Sequence, residues 1–182
     1  AIAGLDIALW DLKGKALGVP IYKLLGGKFR DKVRMYASSM RRDLTPIEEA
    51  WRAVSFVEEG YSAYKLHSAV PGGIDDPADQ TIATVREVRT AVGDHIEILV
   101  DVNGAFSTHY AIEIGEKLQD LGVIHFEEPR PHYDLDGLAT IADALTMPVA
   151  SGEMIYTHWQ YRDLILQGKV DIIQTDIVKV PG

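Results

Sequence analysis

Short apolar runs rich in β-branched residues alternate along the chain with longer segments whose apolar residues recur every three or four positions. Runs of the first kind predict buried strands, and segments of the second kind predict amphipathic helices. Their regular alternation is typical of βα units that build a parallel sheet. The predicted strands cover residues 33–37, 63–67, 96–102, 123–126, 148–151 and 170–175.

The intervening helices carry start and stop signals. Thr45 is a predicted N-cap, Pro46 occupies the first turn, and Glu48 supplies the carboxylate of a capping box. This helix is predicted to run to Glu59 and to stop at Gly60, which suits a helix C-terminus. Further helices are predicted over residues 77–92, 108–121, 133–145 and 159–166.

The predicted strands begin about 27 residues apart, which matches the repeat of an eightfold β/α barrel. Six strands are predicted, so we expect an incomplete TIM-type barrel of the α/β class, with two strands and three helices beyond Gly182. At the other end, an apolar stripe predicts a helix without an N-cap that precedes the barrel, and Gly26-Gly27 predicts a joint after it. The stripe consists of Ile2, Leu5, Leu9, Leu12 and Ala16.

Three acidic residues come at the ends of consecutive predicted strands, namely Asp101, Glu127 and Glu153. Their spacings are 26 residues (127 − 101) and 26 residues (153 − 127), about one βα unit each. Because the carboxyl ends of neighbouring parallel strands meet at one edge, these side chains are expected to lie together. Any one of them alone could be a solvated loop residue. Together they predict a metal site, and carboxylate oxygens suit Mg²⁺, with Mn²⁺ as an alternative.

Composition and charge narrow the chemistry. The 182 residues include 18 basic and 27 acidic side chains, a net charge of −9, which argues against a nucleic-acid surface. The absence of cysteine excludes disulfides, thiolate ligands and a cysteine nucleophile. Neither an apolar run of ~18 residues nor a signal-peptide pattern is visible, so no membrane partner is expected and a cytoplasmic location is the default.

Several motifs place polar residues at strand ends in a fixed order. They are GLDIALWDLKGKALGVPIYKLLGG at the start, KLH at Lys65, VDVNGAF at Asp101, FEEP at Glu127, SGE at Glu153 and a closing QTDIVKVPG. In this order and spacing the chain resembles the enolase superfamily, in its mandelate racemase and acid-sugar dehydratase branch. The resemblance implies that residues 1–27 end an α+β capping domain and that residues 28–182 belong to the barrel. It also implies that Asp101, Glu127 and Glu153 bind a catalytic Mg²⁺, which holds a substrate carboxylate and stabilises an enediolate.

Lys65 and His67 are two residues apart on one predicted strand, so their side chains share a face and point at the same site. An α-proton beside a carboxylate is removed only if the resulting dianion is stabilised, which a divalent metal and Lys65 are suited to do. The resembling enzymes commonly have a second lysine, serving as a base, where this chain has His67. A histidine can act as a base near neutral pH or protonate a leaving hydroxyl, although a structural histidine is the alternative.

Four more residues are candidates for supporting roles. In the resembling branch, the aspartate that matches Asp176 orients a histidine from the seventh strand, and Lys179 also matches, although an ordinary solvated lysine would fit there equally. Asn103 shares a face with Asp101 and is a candidate contact for substrate or for a metal ligand. Glu128 faces away from Glu127 along the strand and is expected to be a structural partner outside the ligand set.

These residues predict abstraction of the α-proton of a hydroxy-carboxylate, most simply the dehydration of a sugar acid to a 2-keto-3-deoxy acid. Racemisation or epimerisation of an α-hydroxy acid is the nearest alternative. A non-catalytic fragment of such an enzyme is the alternative from another class, and a phosphate-binding aldolase-type barrel is disfavoured because the acid triad would have no role. The expected partner is a small-molecule carboxylate, and homo-oligomers are expected by analogy alone.

Overall fold

The computed structural model of the protein describes residues 2–69 and 72–180. Helices and strands alternate along the barrel part of the chain, as the hydrophobic pattern predicts. The helices are α1 (Ile2–Leu17), α2 (Ile21–Leu24), α3 (Pro46–Glu58), α4 (Thr81–Val92), α5 (Thr108–Asp120), α6 (Leu135–Ala144) and α7 (His158–Leu166). The strands are β1 (Ala37–Ser39), β2 (Ala63–His67), β3 (Glu97–Asp101), β4 (Val123–Glu127), β5 (Val149–Ser151) and β6 (Ile172–Ile173).

The six strands form one parallel sheet in which spatial order follows chain order, from β1 to β6. This confirms the predicted barrel-type α/β fold, and the sheet is not closed, because β1 and β6 are its two edges. Register aligns the ends of the central strands. His67 of β2 pairs with Asp101 of β3, and Asp101 pairs with Glu127 of β4. Polar residues at three strand ends therefore lie level at one edge of the sheet.

Both edge strands depart from their predicted bounds. The prediction of 33–37 for the first strand is wrong except at Ala37, because Val33 and Met35 are 71% and 67% exposed and pairing with β2 begins at Ala37. The sixth strand, predicted over 170–175, is reduced to Ile172–Ile173. A strand with one neighbour forms only where that neighbour offers partners, so pairing overrides local β propensity at both edges.

Side-chain caps fix where the helices begin, directly after the loops that leave the strands. The predicted capping box is present, since Thr45 N donates to Glu48 Oε2 at 2.8 Å and the Thr45 hydroxyl accepts from Glu48 N. The side chains of Ser107, Asp134 and Thr157 cap α5, α6 and α7, each by accepting a hydrogen bond from the backbone N–H three residues later. Because of the Asp134 cap, α6 begins at Leu135 rather than at the predicted residue 133.

The hydrophobic core lies between the sheet and the helices that cover it. Fully buried residues of β3 and β4, such as Val100 and Phe126, pack with Leu118 of α5 and with Leu138 and Ile141 of α6. The helix predicted at the N-terminus is present as α1. Its apolar stripe is largely exposed, with Leu5 and Leu9 at 68% and 66%. Within the described ranges, no helix has the length and apolar character needed to cross a membrane.

One arginine lies at the end of the sheet opposite the candidate polar residues. It donates hydrogen bonds to backbone carbonyls of several loops. Arg89 Nε donates to Leu121 O at 3.0 Å, and Nη2 donates to Gly122 O at 2.9 Å. Its Nη1 donates to Gly93 O at 2.9 Å and to Ile96 O at 2.7 Å. Arg89 thus ties the end of α4 and the start of β3 to the turn before β4, because a guanidinium offers five donors in one plane.

We expect Arg89→Ala to lower the free energy of unfolding by about 2 kcal/mol or more, because four carbonyls lose a charged donor at once. Urea unfolding followed by circular dichroism measures this. The control is Arg86→Ala on the exposed face of the same helix, which should change stability by less than about 0.5 kcal/mol. Equal effects of the two substitutions would contradict the role assigned to Arg89.

Candidate active site at the carboxyl ends of the strands

A buried lysine lies between two carboxylates from neighbouring strands. Lys65 Nζ lies 2.8 Å from Glu127 Oε2 and 3.5 Å from Asp101 Oδ2, and all three residues are at most 6% exposed. Burial pulls the pKa of Lys65 down, but the hydrogen bond and charge of Glu127 and the charge of Asp101 raise it above its ordinary value. Burial likewise opposes ionisation of Glu127, but His125 and Lys65 together lower the pKa of that carboxyl to about 2. The lysine is thus held as an ammonium and Glu127 as a carboxylate.

His67 is fixed from both sides of its ring. Nδ1 makes a hydrogen bond with the carbonyl oxygen of Ser39 at the end of β1, and Nε2 lies 3.1 Å from Asp101 Oδ2. The approach of Nε2 to Asp101 is a close contact without hydrogen-bond geometry, whereas Nδ1 is hydrogen-bonded to the backbone of β1. Lys65 and His67 therefore aim at Asp101 from one strand face, as the sequence predicts.

The predicted metal ligands are partly assembled. Asp101 Oδ1 accepts from Asn103 N at 2.9 Å, whereas its buried Oδ2 accepts no hydrogen bond from any described residue. Glu153 lies on the loop after β5 and lines a cavity of about 470 Å³ together with Lys65 and Glu127. In the part of the chain that the structure describes, no three histidine or acidic side chains are gathered tightly enough to hold a metal ion. An unsatisfied buried carboxylate oxygen beside further carboxylates nevertheless fits a hard divalent cation in charge and ligand type.

The end of β6 forms another wall of the 470 Å³ cavity. Asp176 lines it, and Lys179 Nζ lies 3.5 Å from Asp176 Oδ2 and 3.3 Å from Met154 Sδ. The structure therefore brings Asp176 to the same cavity as Glu127 and Glu153, and it places Lys179 beside Asp176. Gln174, Thr175 and Asp176 thus line the cavity rather than extend β6.

Glu128 is a buried carboxyl group whose pKa is shifted upward, in the direction opposite to that of Glu127. It is 5% exposed, has a left-handed backbone with φ 43°, and its Oε1 has no hydrogen-bond partner among the described residues. Burial, and then the charges of Glu153 and Asp101, raise the pKa of Glu128 to about 7. A concentration of negative charge that destabilises a fourth carboxylate is the expected companion of a cation site.

Two residues near the site carry no sequence signal. Arg42, on the loop after β1, donates to the side-chain oxygen of Asn103, a contact across 61 residues that no local pattern reveals. Tyr36 lines the cavity, with the ammonium of Lys65 5.6 Å from its ring centroid. His125 of β4 also lies beside the site, with its Nε2 3.4 Å from Glu127 Oε2.

Comparison with known proteins now identifies the family. Residues 47–182 match the sequence model described as enolase C-terminal domain-like, so the chain belongs to this family. Residues 1–26 match the mandelate racemase / muconate lactonizing enzyme N-terminal domain. The proposed boundary between residues 27 and 28 stays a prediction.

Curated relatives are named as acid-sugar dehydratases. All of this chain aligns at 36% identity with 48% of an arabinonate dehydratase of Saccharolobus solfataricus. It also aligns at 37% identity with 44% of an L-talarate/galactarate dehydratase of Salmonella typhimurium. The chain thus spans about half the length of these relatives. A mandelate racemase/muconate lactonizing protein from Paracoccus denitrificans, solved with magnesium, superposes with a TM-score of 0.88 at 40% identity, over 99% of this chain and 49% of that one.

In metal-free buffer, we expect Glu128→Gln to stabilise the chain by about 2 kcal/mol more at pH 8 than at pH 5. The folded pKa of about 7 lies above the usual 4.5, so between these values the native state holds more protons than the unfolded state. Native stability therefore falls as pH rises through this window, and a neutral glutamine removes the loss.

Urea unfolding at both pH values in the presence of EDTA measures this difference. The exposed Glu116→Gln serves as control and should show the same stability relative to the parent at both pH values. A Glu128→Gln effect that is independent of pH would contradict a raised pKa.

Proposed function

We propose that this chain carries the metal-binding and first acid–base residues of a Mg²⁺-dependent acid-sugar dehydratase. The observation that carries the proposal is the buried ammonium of Lys65 beside the carboxylates of Asp101 and Glu127, with His67 on the same strand face. Such a cluster suits the binding of a carboxylate whose neighbouring carbon is to lose a proton. The dehydratase names of the relatives support this reaction class.

Asp101, Glu127 and Glu153 are the proposed metal ligands, and Asn103 is proposed to orient Asp101 through its backbone N–H. When bound, Mg²⁺ would supply Lewis-acid stabilisation of negative charge on carboxylate oxygens. Lys65 faces the same charge with a hydrogen-bonding ammonium. Its proposed role is to neutralise the substrate carboxylate, which is most needed when the α-proton has left and the carboxylate carries two negative charges.

His67 is the proposed acid. The further base that Asp176 would orient takes the α-proton, the electron pair of the broken C–H bond forms an enediolate, and its collapse expels the β-hydroxyl group. A proton from His67 converts that group to water, and the remaining enol becomes a 2-keto-3-deoxy acid. The hydrogen bond of Nδ1 with Ser39 O and the 3.1 Å approach of Nε2 to Asp101 Oδ2 hold the ring in position for this role.

Asp176 and Lys179 are proposed to complete the cavity wall, where Asp176 would orient a further base of the catalytic group. Racemisation or epimerisation of an α-hydroxy acid uses the same first step and is the alternative reaction. It requires return of the proton to the opposite face of the intermediate and retention of the β-hydroxyl group. A small-molecule carboxylate is the proposed partner, while an oligomeric state and a cytoplasmic location stay predictions.

We expect excess Mg²⁺ to raise the thermal unfolding midpoint of the chain by about 5 °C or more at 100-fold its dissociation constant, because a ligand bound only by the native state stabilises it. Glu127→Gln should abolish the shift, and Glu116→Gln should retain it. Scanning calorimetry with Mg²⁺ and with EDTA measures both. A shift that persists in Glu127→Gln would contradict the ligand assignment.

Proton NMR of sugar acids in D₂O tests the reaction. With Mg²⁺, the α-proton signal should disappear and the signals of a 2-keto-3-deoxy acid should grow, whereas Lys65→Met should slow both at least about 100-fold. Exchange of the α-proton with the β-hydroxyl group retained would favour the racemase alternative. Metal binding without exchange in any acid would indicate a chain that is catalytically incompetent by itself.

A further inference from the structure

A second cavity, of about 230 Å³, opens at the same edge of the sheet, between the loop after β1 and the beginnings of α3 and α4. It borders the candidate active site, because His67 and Ser68 at the end of β2 form part of its wall. The rest of the wall is rich in hydroxyl and charged groups. Its lining includes Arg42, Glu49, His67, Ser68, Thr81 and Thr84.

Both acidic residues in this cavity are already engaged. Asp43 receives two hydrogen bonds from Arg41, at 2.6 Å each, so that these two charges form a closed pair. The carboxylate of the buried Glu49 accepts from Tyr64 OH at 2.7 Å and from Ser39 Oγ at 3.1 Å. Neither acid is therefore a free partner for another cation in the cavity.

Arg42 is the cation without such a partner. It is half-buried, its guanidinium donates to the side-chain oxygen of Asn103, and no carboxylate among the described residues pairs with it. A guanidinium presents five donors in a planar fork whose geometry matches a carboxylate. Asn103 links this guanidinium to the proposed metal ligand, because its side chain accepts from Arg42 and its backbone N–H donates to Asp101 Oδ1.

Residues of one strand face line the two cavities. Lys65 lines the cavity of the candidate active site and His67 lines the second cavity, two residues further along β2. This separation is about 6.6 Å, comparable to the length of a short sugar acid. An acid whose reacting carboxylate lies at Lys65 would therefore extend past His67, toward the cavity that Arg42 lines. Thr84 also lines this cavity and can offer a hydroxyl group to the polyol carbons, whereas the buried Thr81 hydroxyl is engaged with Ser68 Oγ at 2.9 Å and Asp79 Oδ1 at 2.6 Å.

We propose that Arg42 and this cavity form a subsite for a second carboxylate, at the far end of a dicarboxylic sugar acid. The inference rests on the proposed function, because the first carboxylate must be bound at Lys65. It narrows the substrate class from sugar acids in general to those that carry a carboxylate at both ends. A substrate with a terminal CH₂OH group would leave the guanidinium unpaired.

Calorimetric titration with a matched pair of probes tests the proposal on the full chain in excess MgCl₂. Galactarate and galactonate differ only in the far-end group, which is a carboxylate in the first and CH₂OH in the second. We expect galactarate to bind the parent at least about tenfold more tightly, as a charged hydrogen-bonded pair implies. Arg42→Gln should remove this preference, so that its affinities for the two probes agree within about twofold.

Two further variants control for charge and folding. Arg86→Gln removes one positive charge from an exposed position of α4 outside the cavity, and it should retain the preference. Arg42→Lys should reduce the preference without removing it, because an ammonium keeps the charge and loses the paired donors. Thermal unfolding of each variant monitors its fold.

Different outcomes distinguish failure of the subsite from failure of the proposed function. Equal affinity of the parent for both probes would overturn the subsite and leave the proposed function standing. A preference that survives undiminished in Arg42→Gln, or in Arg42→Lys, would overturn the assignment to Arg42. Failure of the folded parent to bind either probe would overturn the subsite, whereas the proposed function fails only if Mg²⁺ also leaves the thermal unfolding midpoint of the parent unchanged.

Discussion

The parallel register of β2, β3 and β4 is the constraint on which the candidate site depends. It sets His67 level with Asp101, and Asp101 level with Glu127, so that opposite charges meet where water is excluded. A buried charge is costly unless it is paired, and here each charge is held by its neighbours on the next strand. A slip of one residue in any of the three strands would turn these side chains toward the helices and leave the charges unpaired. The strand register therefore determines which charges pair, and the cost of unpaired buried charges disfavours any other register.

The same strand ends carry backbone strain. Ala69, Asn103 and Glu128 follow β2, β3 and β4 by one or two residues, and all three adopt left-handed conformations with φ of 62°, 44° and 43°. Each such non-glycine residue costs on the order of 1 kcal/mol and persists only where its surroundings fix it. At Asn103 the fixing contact is the hydrogen bond from its backbone N–H to Asp101, and at Glu128 it is the bond to Ala150 O at 2.8 Å. The turn after β3 is thus held by the side chain of Asp101, and the turn after β4 is held by the backbone of β5.

Much of this arrangement follows from the sequence, and the remainder has a common physical reason. The strand and helix order, the capping box at Thr45 and the shared face of Lys65 and His67 depend on local spacing, which a sequence displays directly. The bounds of β1 and β6 depend on pairing with one neighbour, and the sequence misplaces them. The position of Arg42 beside the site depends on its contact with Asn103, 61 residues away in the sequence, and no hydrophobic periodicity predicts that contact. The raised pKa of Glu128 likewise arises from charges on other strands, which only the folded chain brings near.

His67 shows how one substitution within a shared fold redirects the chemistry available to it. Lys65, two residues earlier on the same strand, presents a flexible ammonium that is held by ion pairs with Glu127 and Asp101. The imidazole is instead clamped between the carbonyl of Ser39 and the carboxylate of Asp101. The clamp is itself supported from α3, because Glu49 accepts a hydrogen bond from the Ser39 hydroxyl and is buried with it. A ring held at a fixed position is suited to deliver a proton to one point on a substrate, as the departure of a hydroxyl group requires. The geometry around His67 is therefore consistent with the proposed acid, because the ring is positioned by contacts on both of its nitrogens.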